Sequence, residues 1–371
     1  MFSNLNNLFN YLFILILLNN FCYSFLPFGK LYVQNGKLMG NRGRLAQLRG
    51  MSLFHSQLIE GSIFYNEETI YALKCNWHVN IVRACLGIMN YGNGGYLKNK
   101  NVEKEKIKTV VNAAIKHNIY VIINFHYTGD ELFILEAYEF FKEMSYEYKG
   151  KYNVIYEIHN EVINLPWQNL VKYHETIIKI IRSNDQNAII ICTTPFYDQH
   201  INDVIKYPIK NQNNIMYSIH FYSGEFSVQK LRENIFMALE KNIPLFVTEY
   251  GLSTGNGNGQ INKEETEKWW KIVSYINWAI SNKKESSAAL LPGSNSKSLW
   301  FNSALTESGR FVKQMLYYKQ PIPYGCPKWE KNIIIKEIIS KIFSSTNHLL
   351  AMFGHPYQYS YSYRTRAINC E

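Results

Sequence analysis

Apolar residues in this chain fall into short, β-branched runs that recur with longer amphipathic stretches between them. The runs are LRGMSL (48–53), VNIVRACL (79–86), IYVIINFH (119–126), NVIYEIHNE (153–161), AIIICTTP (188–195), IMYSIHFY (215–222), PLFVTEYG (244–251) and SYINWAIS (274–281). Their near-continuous apolar character marks strands covered on both faces, as in a parallel sheet. Between them NEETIYALKCNWH, EKEKIKTVVNAAIKH, LFILEAYEFFKEMSYEYK, NLVKYHETIIKIIRSND, INDVIKYPIK, VQKLRENIFMALEKN and EETEKWWKIVSY carry helical periodicity, and ESGRFVKQMLYY follows the last run. Eight such units predict an α/β fold, a closed (β/α)8 TIM barrel. No GxGxxG opens the first unit, which argues against an open dinucleotide-binding sheet.

In such a barrel the C-terminal strand ends build the active face, so polar residues there are candidates for chemistry. They are Arg83, His126, Asn160 with Glu161, His220 with Tyr222, Glu249 and Trp278. Glu161 ends the fourth run and Glu249 lies near the end of the seventh, across the mouth. Two carboxylates over a cleft are the minimum equipment for cleaving a glycosidic bond, and a separation of roughly 5 to 5.5 Å suits a retaining mechanism. The acid must keep its proton, which burial or a nearby negative charge favours. The nucleophile must stay ionised, and Arg83 and Tyr222 are available to steady it. Asn160 offers an amide to a sugar hydroxyl, and His126 and His220 offer donors near the scissile bond. Glu157 is expected deeper, as a buried hydrogen-bonded group, with His159 turned away beneath a helix. Trp278 is a candidate floor for a sugar ring, Trp269 and Trp270 are expected in core and rim, and Tyr96 in NYGNGGYL is expected to be an exposed rim contact.

Composition narrows the partners. At 371 residues the chain accommodates one barrel with extensions, or two domains. Aromatic residues make up 15%, more than a core needs and compatible with sugar stacking. The net charge of +10 comes from lysines scattered along helix faces rather than from a dense basic run, so no nucleic-acid partner is expected. The apolar block Tyr11 to Leu18 is too short to span a bilayer and fits the h-region of a secretory signal cleaved near Ser24, although no basic residue precedes it. The alternatives are a membrane anchor or a buried apolar tail. The expected organisation is a signal peptide at 1–24, the barrel at 25–320 and an extension of unknown role at 321–371. That makes the product a secreted, extracellular monomer with no stable membrane span after cleavage. Cys75, Cys85 and Cys192 sit in apolar contexts and are expected as buried free thiols, while Cys326 and Cys370 are able to pair. No cysteine or histidine spacing suggests a zinc site.

The phrases LRGMSLFHSQ, VNIVRACLGI, YVIINFH, NVIYEIHNE, HFYSGE, PLFVTEYG and NWAISNKKESSAALLPG, in that order over about residues 27–318, resemble glycoside hydrolase family 5. Within it they are most similar to the bacterial-type endoglucanases also found in plant-parasitic nematodes. The resemblance implies a retaining endo-β-1,4-glucanase (a cellulase) acting on cellulose-like polysaccharide, with Glu161 as acid/base and Glu249 as nucleophile. It also implies supporting roles for Arg83, His126, Asn160, His220, Tyr222 and Trp278, and no metal or organic cofactor, since acid, nucleophile and water complete the reaction. His55 and Tyr197 stand at sugar-stacking places where that family usually has tryptophan, Asn124 where it commonly has aspartate, and Val162 where it commonly has proline. The loop HYTGDE is shorter than usual. These departures leave open the same mechanism on mannan, xylan or xyloglucan, or a non-catalytic glycan-binding barrel.

Overall fold

The structure, a computed structural model, describes residues 26–327. The predicted signal peptide, Cys370 and most of the 321–371 extension lie outside the described residues. All eight runs form strands: β1 (Arg49–Leu53), β2 (Ile81–Gly87), β3 (Tyr120–His126), β4 (Val154–Glu157), β5 (Ile189–Cys192), β6 (Ile215–Tyr222), β7 (Leu245–Gly251) and β8 (Tyr275–Ile280). They pair in parallel and in order, and β8 closes on β1, giving the expected (β/α)8 barrel. The connecting helices are α1 (Glu67–Trp77), α2 (Lys100–Lys116), α3 (Ile134–Glu147), α4 (Trp167–Asn184), α5 (Asn202–Lys206), α6 (Val228–Glu240), α7 (Lys263–Trp269) and α8 (Glu307–Lys319).

The continuous apolar character of the strands has a direct physical use, because all but β1 feed two separate cores. Ile81, Tyr120, Ile122, Ile155, Ile191, Met216, Phe246 and Ile276 pack together inside the barrel. Their chain neighbours Val82, Val121, Ile123, Tyr156, Ile190, Tyr217 and Val247 pack outward with helix residues such as Leu73, Val111, Phe140 and Ile177. Helix starts are set by side chains that accept orphan backbone N–H groups: Asn66 takes that of Thr69, and Thr306 that of Gly309. An antiparallel hairpin over residues 32–39, absent from the sequence reading, adds Leu31 and Leu38 to the interior cluster. Tyr120 ties that segment down, its hydroxyl donating to Gly29 O (2.7 Å) and accepting from Phe28 N (3.2 Å).

Two departures from regularity shape the upper rim. β4 ends at Glu157, four residues before the predicted end at Glu161, and Glu161 instead pairs with Thr128 just beyond β3. Strict alternation would carry His159 inward beside Glu157 and Glu161. Because the ladder has already ended, His159 turns outward and packs edge-on against Tyr173 of α4, at 5.6 Å between centroids. On β7 the register slips between the pairs Ile219–Val247 and His220–Glu249, a bulge that lets the adjacent Thr248 and Glu249 both serve the barrel mouth.

Cys85 and Cys192 are the expected buried free thiols, but Cys75 is not one: both Cys75 and Cys326 are disulfide-bonded. Cys75 keeps 8% of its surface near the end of α1, whereas Cys85 and Cys192 lie on strands at 0%. An apolar neighbourhood in sequence does not distinguish these situations. The chain divides into two compact units after Gly325; the barrel lies in the first, and only Cys326 and Pro327 of the second are described. Among the described residues no helix is long and apolar enough to cross a membrane.

Barrel closure depends on close backbone approach at Gly50, where an added Cβ would lie 1.8 Å from Ile81 O. Gly50→Ala should lower stability by about 1–3 kcal/mol or more, since a backbone oxygen cannot rotate away. An unchanged urea midpoint would contradict this packing.

Candidate active site

The site is built upward from a buried cation. Arg83 lies third in β2, below the strand end where the sequence placed it, and is 0% exposed. Its Nε and Nη2 donate to Glu157 Oε2 (2.7 Å) and Oε1 (3.1 Å), Nη1 to Glu249 Oε2 (2.9 Å), and Nη2 also to Asn160 Oδ1 (2.6 Å). Glu157 is therefore the buried hydrogen-bonded carboxylate anticipated, and Arg83 reaches Glu249 as expected. The other oxygen of Glu249 accepts from Tyr222 Oη at 2.8 Å. Gly251 makes room for that ring, because a Cβ there would meet Tyr222 at 2.4 Å.

Glu161 is held differently. Its Oε1 lies 2.9 Å from His220 Nδ1, its Oε2 accepts from Thr128 Oγ1 (3.0 Å), and its backbone N–H donates to Tyr127 O (3.1 Å). His220 Nε2 in turn lies 3.0 Å from Thr248 Oγ1, which also contacts Ser218 Oγ. Oxygens of Glu161 and Glu249 and a ring nitrogen of His220 all fall within 4.8 Å of one another. Two carboxyl groups this close are able to reach one bond of a bound molecule. The same three groups have the proximity of cation ligands. However, the Arg83 guanidinium already occupies one lone pair of Glu249 and repels a second cation.

Burial raises both glutamates above the ordinary carboxyl range, but with different opposition. For Glu249, Arg83 and the Tyr222 hydrogen bond pull the value back down, while the charge of Glu161 adds to the rise. For Glu161 the opposition is the Thr128 hydrogen bond and a more distant Arg83. His220 is pushed down to about 4, chiefly by burial, so at neutral pH Glu161 has an uncharged imidazole beside it. His126 is likewise held neutral, with Nδ1 2.7 Å from Asn124 Oδ1. The His126 ring lies parallel to Trp278 at 5.1 Å.

Residues 38–284 match the description Cellulase (glycosyl hydrolase family 5). The chain belongs to glycosyl hydrolase family 5. An endoglucanase of Clostridium saccharobutylicum is 41% identical over 299 residues, covering 78% of this chain and 65% of the relative. Endoglucanase Z of Dickeya dadantii is 37% identical over 297 residues, with 78% and 66% covered. The family 5 chain thus spans just under two thirds of the length of these relatives. Among solved structures, Cellulase Cel5C_n superposes with a TM-score of 0.73 at 34% identity, covering 80% of this chain and 94% of that one. The catalytic domain of Thermobifida fusca endoglucanase Cel5A superposes at 0.71 with 28% identity, covering 78% and 98%.

Within this family 5 barrel most predicted side chains converge, and one does not. Tyr96 is not an exposed rim contact: it is 1% exposed, on a short turn after β2, with its ring edge-on to Phe125 (6.2 Å) and Phe140 (5.7 Å). The glycines before it in NYGNGGYL fold the loop back and drive the ring into the core. Trp269 and Trp270 are also core, stacked on Phe221 and Tyr275. His55 joins the floor instead of offering a broad flat face, standing edge-on to Trp278 at 5.3 Å and to His126 at 4.5 Å. Tyr197 is 42% exposed at the mouth-side turn after β5. Thr128, Thr248 and Asp198 were missed; hydroxyls beside a glutamate phrase were the available signal, and nothing in TTPFYDQ marked its aspartate.

Three histidines, His159, His174 and His220, are at most 1% exposed and are lowered by burial to about 4, 3 and 4. The unfolded chain protonates each near 6.5, while the folded chain resists until the lowered value. Their contribution to stability is therefore complete above about pH 6.5 and falls as the solution is acidified, by up to about 1.4 kcal/mol per pH unit per histidine. The NMR shifts of these three imidazoles should show no titration between pH 7 and pH 5; a midpoint near 6.5 for any of them would refute its neutral burial.

Proposed function

We propose that this family 5 barrel is a secreted, monomeric, retaining endo-β-1,4-glucanase, with Glu249 as nucleophile and Glu161 as acid/base. The observation that carries the reading is the pair of carboxyls with oxygens within 4.8 Å of one another, one clamped by Arg83 and Tyr222 and the other beside a neutral histidine. In the first step Glu249 Oε attacks the anomeric carbon as the glycosidic C–O bond breaks, and the leaving oxygen takes the proton of Glu161. In the second, the Glu161 carboxylate removes a proton from water, whose oxygen attacks the same carbon and releases Glu249. The two displacements come from opposite faces and each inverts the anomeric carbon, so together they retain its configuration.

The surroundings support these roles. Arg83 and Tyr222 place a donor on each oxygen of Glu249, which favours the ionised form needed for attack. Asn160, fixed by Arg83 and by its own donation to Thr128 (3.3 Å), has a further N–H for a sugar hydroxyl. Trp278, backed by Phe54 and His126, supplies an apolar floor. The Thermobifida fusca catalytic domain is known in complex with cellotetraose, consistent with a β-1,4-glucan as substrate.

A second reading keeps the chemistry and changes the sugar to mannan, xylan or xyloglucan. It is favoured by His55, which turns an edge toward Trp278 and presents less flat surface. Rates on soluble cellulose derivatives and on galactomannan separate the readings: faster hydrolysis of the glucan is expected, and dominance of mannan would overturn the glucan assignment.

Glu161→Gln should lower kcat/KM on carboxymethylcellulose by about 10²–10⁴-fold, and Glu249→Gln by at least as much. Near-wild-type activity in either variant would refute its role. Proton NMR of early products should show the β-anomer first.

A further inference from the structure

A third carboxyl faces the acid/base from across His220. Asp198 ends a turn after β5 in which Phe196, Tyr197 and Asp198 all adopt left-handed backbone, with φ of 53°, 57° and 57°. Non-glycine residues rarely take this conformation, and three in succession swing the Asp198 carboxyl inward to 0% exposure. Its Oδ1 accepts from Thr194 N (2.6 Å) and Thr193 Oγ1 (2.8 Å). Its Oδ2 is buried with no hydrogen-bond partner and lies 3.7 Å from His220 Nε2. On the other edge of the same ring, Nδ1 lies 2.9 Å from Glu161 Oε1. Glu157 Oε1 is also 4.0 Å from Nε2, but both its oxygens are paired with Arg83. Asp198 has no such cation: His220 is its one ion-pair neighbour among the described residues.

We propose that Asp198 is a positioning residue for the acid/base: its carboxyl and that of Glu161 hold one proton between them across the imidazole of His220, keeping Glu161 protonated to a higher pH than it would reach alone. The inference rests on the reading of Glu161 as acid/base. A neutral imidazole carries one N–H. With Nε2–H donated to Thr248 Oγ1 (3.0 Å) on the side where an ionised Asp198 stands 3.7 Å away, Nδ1 is an acceptor and needs the proton of Glu161. With the proton on Asp198, Nδ1–H donates to an ionised Glu161. Like charges across one ring oppose full ionisation of the pair, so the last proton leaves late. Burial also pushes the Asp198 carboxyl upward, and the charges of Glu161 and Glu157 add to it. The other titratable or charged groups facing the pair are Arg83 on β2, His126 on β3, Glu249 on β7 and Tyr222 on β6.

The test is Asp198→Asn, which keeps the Oδ1 acceptor for Thr193 and Thr194, removes the charge and turns an N–H toward Nε2. Two quantities are measured: the titration of the Glu161 carboxyl by ¹³C NMR on glutamate-labelled protein, assigned by its loss in Glu161→Gln, and the upper limb of the kcat/KM pH profile on soluble glucan. Both should move down by about 0.5–1 pH unit. Asp198→Ala, checked for folding by its melting curve, should move them the same way. An unshifted Glu161 titration, or an equal loss of rate at every pH, would overturn the proposal. Absence of glucanase activity in the wild type would instead refute the proposed function, and the NMR titration would still decide the role of Asp198.

Discussion

A guanidinium with no exposed surface is the constraint around which the mouth of this barrel is arranged. An unpaired charge at that depth is very costly, so Arg83 has to be surrounded by acceptors. It receives them from three directions: both oxygens of Glu157 at the end of β4, one of Glu249 on β7, and the amide oxygen of Asn160. Strands distant in sequence are thereby locked at one height, and a carboxylate that would otherwise be neutralised by burial is held in place with a positive partner. Breaking this network would leave two carboxylates uncompensated as well as losing the cation.

The difference between the two candidate catalytic carboxyls follows from where the network stops. Glu249 lies inside it, with Arg83 on one oxygen and Tyr222 on the other. Glu161 lies one residue past Asn160, out of the regular strand, and its partners are neutral: a threonine hydroxyl and a histidine kept uncharged by burial. Two identical side chains thus face one gap under opposite electrostatic instructions, the condition for dividing acid and nucleophile between them. The β7 bulge contributes by letting Thr248 reach His220 while its neighbour Glu249 reaches Arg83, which a regular strand would forbid.

Around this polar centre the rim is less aromatic than the composition suggested. Much of the aromatic content is consumed by packing between sheet and helices, as Tyr96, Trp269 and Trp270 illustrate. What faces the mouth is Trp278, steadied by the parallel ring of His126 and flanked by His55, with Tyr197 at the turn after β5. Among the described residues, Trp278 thus packs with Tyr222, the partner of one candidate carboxyl.

The sequence alone determined the architecture, because eight apolar runs separated by amphipathic stretches have one economical way to bury both strand faces, and it determined which polar residues sit at the strand ends. Glu161, Glu249, His220 and Tyr222 were legible for that reason, as ionisable or hydrogen-bonding groups where a core would hold none. Tertiary structure decided what depends on partners far apart in the chain: that Arg83 clamps Glu157 and Glu249 together, that Tyr96 turns inward, that Cys75 is oxidised, and that Asp198 points at His220. Local pattern reports whether a side chain will be buried, but the charge it carries there and the group it answers are set by neighbours that only the closed barrel brings within a few ångströms.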